Sequence, residues 1–403
     1  MRRANMNVLF IIPRLYGGGA ERIIATIASA LSDTYGVYLV THEENRDYPV
    51  GDAVHTISIG ISNNNTNMFN KMLRLLVASS RIRAIKKKYN IQVSVSFLEI
   101  TNFENVLSKV HDKTVISVRS NYFDRDFPYL KRVYLKYTNK MANRIVSISE
   151  GLRRKLIECY EVDSKKVLTI YNPYSIALDK NKLDSVDDEE FMEIRRKSGC
   201  LFLSVGRLIK EKGQCYLIKS FQDVVRRKAD AHLVIVGEGE YRAKLNALID
   251  DLDLKENVHL IGKRNNISFY YNEADIFVFS SISEGFANVI LEAMAFGLPI
   301  ISTDYDFGAR EILAPDTALD YRTDGIEKAE YGILVNPLRQ KYSDNRVITT
   351  EERNISEAMI LAMSDEKIRD YYARKGRERV NDFSVENIKK QWIQLIDEMA
   401  NMV

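Results

Sequence analysis

The first half of the chain alternates short apolar runs with amphipathic stretches. "NVLFIIP" has the unbroken apolar character of a strand, and "GGAERIIATIASALSD" repeats its apolar residues at helical spacing. "GVYLVTH", "IQVSVSF", "TVISVRS" and "RIVSISE" read as further strands. Between Tyr174 and Gly199 the texture turns polar and acidic. There "DDEEFMEIRRKSG" predicts a helix with acids at its start, bases near its end and Gly199 as its cap. The alternation then resumes. "CLFLSVG", "AHLVIVGEG", "NVHLIG", "ADIFVFSS" and "PIISTD" read as strands, and "KGQCYLIKSFQDVVRRK", "YRAKLNALIDDLDL" and "NVILEAMAFG" as helices. From "DYYARKGRERV" to the end the pattern is helical throughout, and "SNNNTN" (Ser62 to Asn67) reads as a loop.

Strands separated by helices of about 10–15 residues imply parallel βαβ units. The pattern therefore predicts two consecutive doubly wound α/β domains. We expect the first over residues 1–175, a linker over 176–198 and the second domain over 199–382. The last helix, about 383–403, is expected to pack back onto the first domain. A length of 403 residues also exceeds what one core normally serves. Ligands of such sheets sit outside the carboxyl ends of the strands, so a cleft between the two domains is the expected site.

Composition adds two restrictions and one asymmetry. The start "MRRANMNVLFII" resembles a signal peptide, but its apolar run, Val8 to Ile12, is short and reads as the first strand; no stretch approaches the roughly 18 apolar residues of a membrane span. Cys159, Cys200 and Cys215 have no CxxC spacing and the five histidines offer no ligand pair, so neither a disulfide framework nor a metal site is expected. A reducing cytoplasm fits. The net charge of +3 hides a basic first half and an acidic second half. From Ala53 to Leu98 the chain carries no acid, only Lys71, Arg74, Arg81, Arg83, Lys86, Lys87 and Lys88; a second acid-free basic stretch runs from Lys131 to Arg144.

Three segments are candidates for chemistry. "RLYGGGAERII" follows the first strand with three glycines and a helix start, which suits an anion or a close ligand. It is not the dinucleotide fingerprint, because the third glycine would fall on Arg22, and no GK[ST] follows to make a P-loop. "SVGRLIKEKGQ" puts Arg207 and Lys212 at a strand's carboxyl end beside a helix start, a good clamp for a pyrophosphate. "SEGFANVILEAMAFGLPIISTD" sets Glu284 at a helix mouth and Glu292 eight positions on, inside a helix that reads as buried. A buried carboxylate needs a partner, and sugar hydroxyls suit an ionised carboxylate because it accepts two hydrogen bonds at once.

The ordered set "VGRLIKEKG", "LVIVGEGEYRAKL", "VHLIG", "ADIFVFSSISEGFANVILEAMAFGLPIISTD", "GAREIL" and "YGILV" resembles the retaining glycosyltransferases of family 4, whose Glu-x7-Glu signature falls on Glu284 and Glu292. The resemblance covers roughly residues 200–340, and more weakly the first half through "GGGAER". It implies the GT-B fold, two Rossmann-like domains facing a cleft. It implies that Arg207 and Lys212 neutralise the nucleotide diphosphate, that Glu284 touches the donor sugar and that Glu292 bridges the ribose. Gly285, Phe286, Ala287, Asn288 and Val289 then form the helix start that faces phosphate. Glu238, with the backbone around Lys263 and Arg264, falls where the family holds nucleotide and base, and Gly18 and Gly19 would close over the phosphates. Ala287 stands where the family often has proline, and "TVISVRSNYF" has Arg119 where a first-domain histidine is expected.

The resemblance thus implies transfer of a hexose or N-acetylhexosamine from a UDP-linked donor. No DxD-type metal site stands out and Arg207 with Lys212 makes a metal unnecessary, so neither metal nor other cofactor is expected; the basic first half points to a glycan or polyprenyl-linked acceptor, as in cell-surface polysaccharide synthesis. The basic first half is expected to lie on the anionic inner face of the membrane. Nucleic acid is not expected as a partner, because no aromatic stacking platform accompanies the charge. Rival readings are a nucleotide-sugar epimerase of the same fold and a non-catalytic partner subunit; a dehydrogenase is disfavoured by the missing GxGxxG.

Overall fold

The computed structural model describes residues 6–61, 68–119, 129–174, 188–338, 342 and 347–402. The "SNNNTN" loop, residue 175 and residues 176–187 of the expected linker lie outside them. The chain divides into two units, residues 1–173 with 383–403, and residues 174–382.

In the first unit, β1 (Asn7–Ile11), β2 (Gly36–Thr41), β3 (His55–Ser58), β4 (Val93–Phe97), β5 (Lys113–Val118), β6 (Arg144–Ser147) and β7 (Val167–Thr169) form a parallel sheet in the order β3-β2-β1-β4-β5-β6-β7. Val8, Leu9, Phe10 and Ile11 of β1 are all buried, as expected of a parallel strand covered on both faces. One face packs on the C-terminal helix Val385–Asn401, which buries Ile388, Trp392, Leu395, Ile396 and Met399 at helical spacing. The Trp392 ring lies 6.4 Å from Phe10 and 6.2 Å from Phe97. Ser384 caps this helix by accepting a bond from the Asn387 amide. The helical stretch expected to run unbroken to the end is therefore two helices, Glu366–Val380 and Val385–Asn401, parted by a 3₁₀ turn at Asn381–Phe383 where the chain leaves one unit for the other.

The other face carries helices Met68–Lys88, Glu99–Leu107 and Tyr129–Met141, the middle one packing against both neighbours. On the outer two, Met72, Leu73, Leu76, Val133, Tyr137 and Met141 are exposed among exposed Lys71, Arg83, Lys87, Arg132 and Lys140. Lys86 departs from this picture. It is buried, with Nζ 2.8 Å from Asp112 Oδ2 and 2.7 Å from Asn105 Oδ1, so it is not part of the exposed basic surface. Burial pulls its pKa down to about 8 against the opposing pull of Asp112.

The second unit repeats the plan with β8 (Cys200–Val205), β9 (Ala231–Val236), β10 (Val258–Gly262), β11 (Ile276–Phe279), β12 (Ile300–Thr303), β13 (Ile326–Lys328) and β14 (Ile333–Val335), in the order β10-β9-β8-β11-β12-β14-β13. All pairs are parallel except the edge pair β13–β14. The strand order reverses between β8 and β11, and that switch point is where a doubly wound sheet opens a crevice. The later part of the expected linker is not a tether. Helix Glu189–Lys197 belongs to this unit, with Phe191 and Ile194 buried, and it ends at Ser198 in extended backbone rather than on a glycine cap. Among the described residues no helix is long and apolar enough to cross a membrane.

Candidate functional site

The site is built at the carboxyl ends of β8 and β11. After β8 the chain passes Gly206 and Arg207, makes a 3₁₀ turn at Lys210–Lys212, and enters helix Gln214–Arg227 through Gly213. Gly213 has φ +65°, and a Cβ there would collide with the Ser280 carbonyl oxygen. Glycine therefore lets this turn lie flat on the loop that follows β11. Hydrogen bonds lock the two together: Ile282 N donates to Glu211 O at 2.7 Å, and Ser280 Oγ donates to Lys212 O at 3.1 Å.

That contact brings Lys212 to Glu284. Nζ lies 2.5 Å from Glu284 Oε1, and each side chain is 17% exposed. The ammonium also sits 5.2 Å from the Phe279 ring centre, and the lysine stem runs past Gly206. Ser281, fully buried, donates Oγ–H to the same Glu284 Oε1 at 2.7 Å. Arg207 is exposed and forms no ion pair among the described residues; its carbonyl accepts a 2.9 Å bond from Gln214 Nε2.

Gly285, Phe286 and Ala287 lead from Glu284 into helix Asn288–Phe296, whose start has no side-chain cap. Val289 is half-buried in the first turn, and Ile290 to Ala295 are buried. The first N–H groups of a helix have no partner within it, so an uncapped start favours an anion. Glu292 is buried, and the partner that its burial demands is in place: Tyr271 of helix Ile267–Glu273 donates its hydroxyl to Oε2 at 3.0 Å. Tyr305, just after β12, is fully buried, and its hydroxyl has no partner among the described residues. Burial first, then the charges of Glu284, Glu311 and Asp304, hold that hydroxyl protonated far above its ordinary pKa.

The remaining candidates are placed differently. Glu238 is exposed and pairs with Arg242 one helical turn away at 2.8 Å. The Arg264 guanidinium is occupied: Nε reaches Asp188 Oδ2 at 2.9 Å and Tyr270 OH at 3.1 Å. Asp188 caps helix Glu189–Lys197, so Arg264 anchors that helix. Burial alone would raise the Asp188 carboxyl, but bonds from Tyr270 and Arg264 outweigh it and hold the pKa low. Lys263 is exposed without an ion pair among the described residues. Gly18 and Gly19 open helix Gly19–Leu31 in the first unit, where a Cβ on Gly18 would collide with the buried Glu21 carboxylate. Arg119 of the first unit lies 4.6 Å from the Phe97 ring centre and donates to Asn172 Oδ1. Sequence reasoning missed Ser281, Tyr271 and Tyr305. Only Ser281 had a signal, a hydroxyl three positions before Glu284.

Two families match the chain, the glycosyltransferase family 4 over residues 17–178 and the glycosyl transferases group 1 over residues 187–319. An uncharacterized glycosyltransferase of Methanocaldococcus jannaschii is 34% identical over 307 residues, 73% of this chain and 74% of that protein. A Campylobacter jejuni protein named N-acetylgalactosamine-N,N'-diacetylbacillosaminyl-diphospho-undecaprenol 4-alpha-N-acetylgalactosaminyltransferase is 27% identical over 391 residues, 95% of this chain and 97% of its own. Among solved structures, Anabaena Alr3699/HepE in complex with UDP superimposes with a TM-score of 0.72 at 16% identity, covering 98% of this chain and all of that one. Two parallel-sheet units, the loop-carried charges at the switch point of the second and these matches agree: the chain belongs to the family 4, group 1 glycosyltransferases of GT-B fold.

Proposed function

We propose that this glycosyltransferase retains anomeric configuration and moves a hexose or N-acetylhexosamine from a UDP-linked donor to a glycan or polyprenyl-linked acceptor, in the synthesis of a cell-surface polysaccharide. One observation carries the reading: exposed Arg207, the Lys212–Glu284 pair and an uncapped helix start converge at the ends of β8 and β11. Arg207, Lys212 and the backbone of Gly285 to Val289 neutralise the leaving diphosphate, the kind of fixed charge stabilisation that lowers a barrier most. Glu284 takes a donor-sugar hydroxyl. Glu292 takes the ribose, with Tyr271 steadying it. Glu238 and the backbone at Lys263 and Arg264 border the nucleotide; the Arg264 side chain is spent on Asp188. The name of the Campylobacter relative supports an N-acetylhexosamine and a lipid-linked acceptor.

In the reaction the bond from anomeric carbon to diphosphate oxygen breaks and a bond to the acceptor oxygen forms on the same face. The departing phosphate oxygen takes the acceptor proton. Two cations carry the neutralisation, so the reaction runs without a metal. The exposed apolar residues among lysines and arginines on helices Met68–Lys88 and Tyr129–Met141 support docking on an anionic membrane surface at the cytoplasmic leaflet.

The test is transfer from UDP-N-acetylgalactosamine to a polyprenyl-diphosphate-linked glycan, with the new linkage read by NMR. Retained configuration and indifference to EDTA are expected. Arg207→Ala and Lys212→Ala should each lower kcat by about 10²–10³, the scale for losing one transition-state donor. Near-normal turnover in either variant refutes the clamp, and epimerised donor without transfer refutes the transferase reading of this site. Equal flotation with anionic and neutral vesicles would remove the membrane contact.

A further inference from the structure

The carboxylate of Glu284 is asymmetric. Oε1 receives two donors, Lys212 Nζ at 2.5 Å and Ser281 Oγ at 2.7 Å, whereas Oε2 has no protein partner among the described residues. The serine has one proton to give and three acceptors in range: Glu284 Oε1, Glu211 O at 2.9 Å and Ser283 O at 3.5 Å. Glu211 O already takes the Ile282 amide at 2.7 Å, and Ser283 O is the most distant. The charged oxygen is also the shortest contact, and a bond to an ionised acceptor is about twice as strong as a neutral one. The proton therefore belongs to Glu284. Ser281 itself is fixed, since its carbonyl oxygen accepts from Thr303 Oγ1 at 2.5 Å.

We infer that Ser281 is a positioning residue that holds Glu284 Oε1 and so presents Oε2 to the donor sugar. The inference rests on the proposed donor site. Lys212 shares that pinning, but a seated diphosphate competes for its ammonium. Once a donor is seated, the ammonium is drawn toward the leaving group, and the serine is the hydrogen bond that stays with the carboxylate. Without it, Glu284 is free to rotate about its terminal torsion and loses its aim at the moment it is needed. Because Glu211 O keeps the Ile282 amide, removing the hydroxyl leaves no buried carbonyl unpaired there, and the fold should survive.

The experiment compares wild type with Ser281→Ala and with Ser281→Cys, which fills the space but donates weakly. Each is measured for donor hydrolysis with UDP-N-acetylgalactosamine and UDP-N-acetylglucosamine, for UDP affinity by calorimetry and for melting temperature. Both variants should lose about ten- to hundredfold in kcat, the range for a hydrogen bond to a charged group. UDP affinity should stay within twofold, because the Ser281 hydroxyl bonds none of the groups assigned to the diphosphate. A variant with kcat within twofold of wild type overturns the positioning role, and so does a loss matched by an equal loss of UDP affinity or by a fall in melting temperature. A wild type that binds neither UDP nor these sugars overturns the donor reading, and this inference with it.

Discussion

Lys212, assigned to the diphosphate, is neutralised by Glu284, assigned to the sugar. Binding of UDP must pull the ammonium partly away from a carboxylate 2.5 Å distant and bring new negative charge up to that carboxylate. Glu284→Gln removes both costs and keeps the shape. Two unit charges 4 Å apart interact by about 4 kcal/mol at an effective dielectric of 20. The pair is partly exposed, and the lysine can bridge both anions, so only a fraction is recovered, about 1–2 kcal/mol. UDP, which lacks the transferred sugar assigned to Glu284, should therefore bind Glu284→Gln roughly 5- to 30-fold more tightly than wild type. Turnover should fall at the same time, because the sugar contact is lost. Calorimetry with UDP at 0.05 and 0.3 M salt is the assay, and the gain should shrink at high salt as screening shortens the reach of the charges. UDP affinity equal to or weaker than wild type would mean that the ion pair does not compete with the ligand. The clamp would then lie elsewhere.

Two further predictions concern stability. His232 and His259 stack across β9 and β10, with a 3.1 Å approach between their ring nitrogens; burial lowers both pKa values, that of His259 to about 4. Their folded pKa values lie below the unfolded value of about 6.5, so the unfolded chain takes up protons first. This contribution to stability is complete above pH 6.5 and is lost as the pH falls toward 4. His259→Phe keeps the ring stack and should flatten that part of the urea-midpoint profile; an unchanged slope would refute the assignment. Lys86→Met should destabilise the protein by about 3–5 kcal/mol in urea unfolding, since it strands the buried Asp112 carboxylate. Removing both charges with Lys86→Met and Asp112→Asn should recover much of that loss, and failure to recover would show that the pair is not the cause.

Much of the fold was legible because parallel strands covered on both faces must be unbroken apolar runs. "NVLFI", "CLFLSV" and "AHLVIV" are such runs and became β1, β8 and β9. Short or edge strands escaped notice. β3 has two exposed and two half-buried residues, and β13 is a three-residue antiparallel edge, so neither carries an apolar signal. The Lys86 error was avoidable. Ala78, Ile82 and Lys86 fall at i, i+4 and i+8 on one buried stripe of their helix, and counting charge along the chain ignored that periodicity.

The candidate site was legible in its parts but not in its pairing. Residue types at fixed spacing marked Arg207, Lys212, Glu284 and Glu292 as candidates, because a clamp, a helix mouth and a buried carboxylate each leave a local trace. Which charge meets which is a property of how separate loops touch. Lys212 and Glu284 are 72 positions apart, and they meet because Gly213 lets one loop lie against the Ser280 carbonyl of the other. Arg264 and Asp188, 76 positions apart, meet because aromatic packing of Phe191 on Tyr270 brings a helix start to the end of β10. The same residue type thus serves ligand or scaffold according to a neighbour no local pattern names. Arg207 reaches solvent while Arg264 is consumed by a helix cap. The distinction matters for chemistry, because only a cation without a carboxylate of its own, or with one it can give up, has charge to offer a diphosphate. By that criterion the proposed donor site would draw on Arg207 at once and on Lys212 by exchange with Glu284, while the Arg264 guanidinium is committed to Asp188.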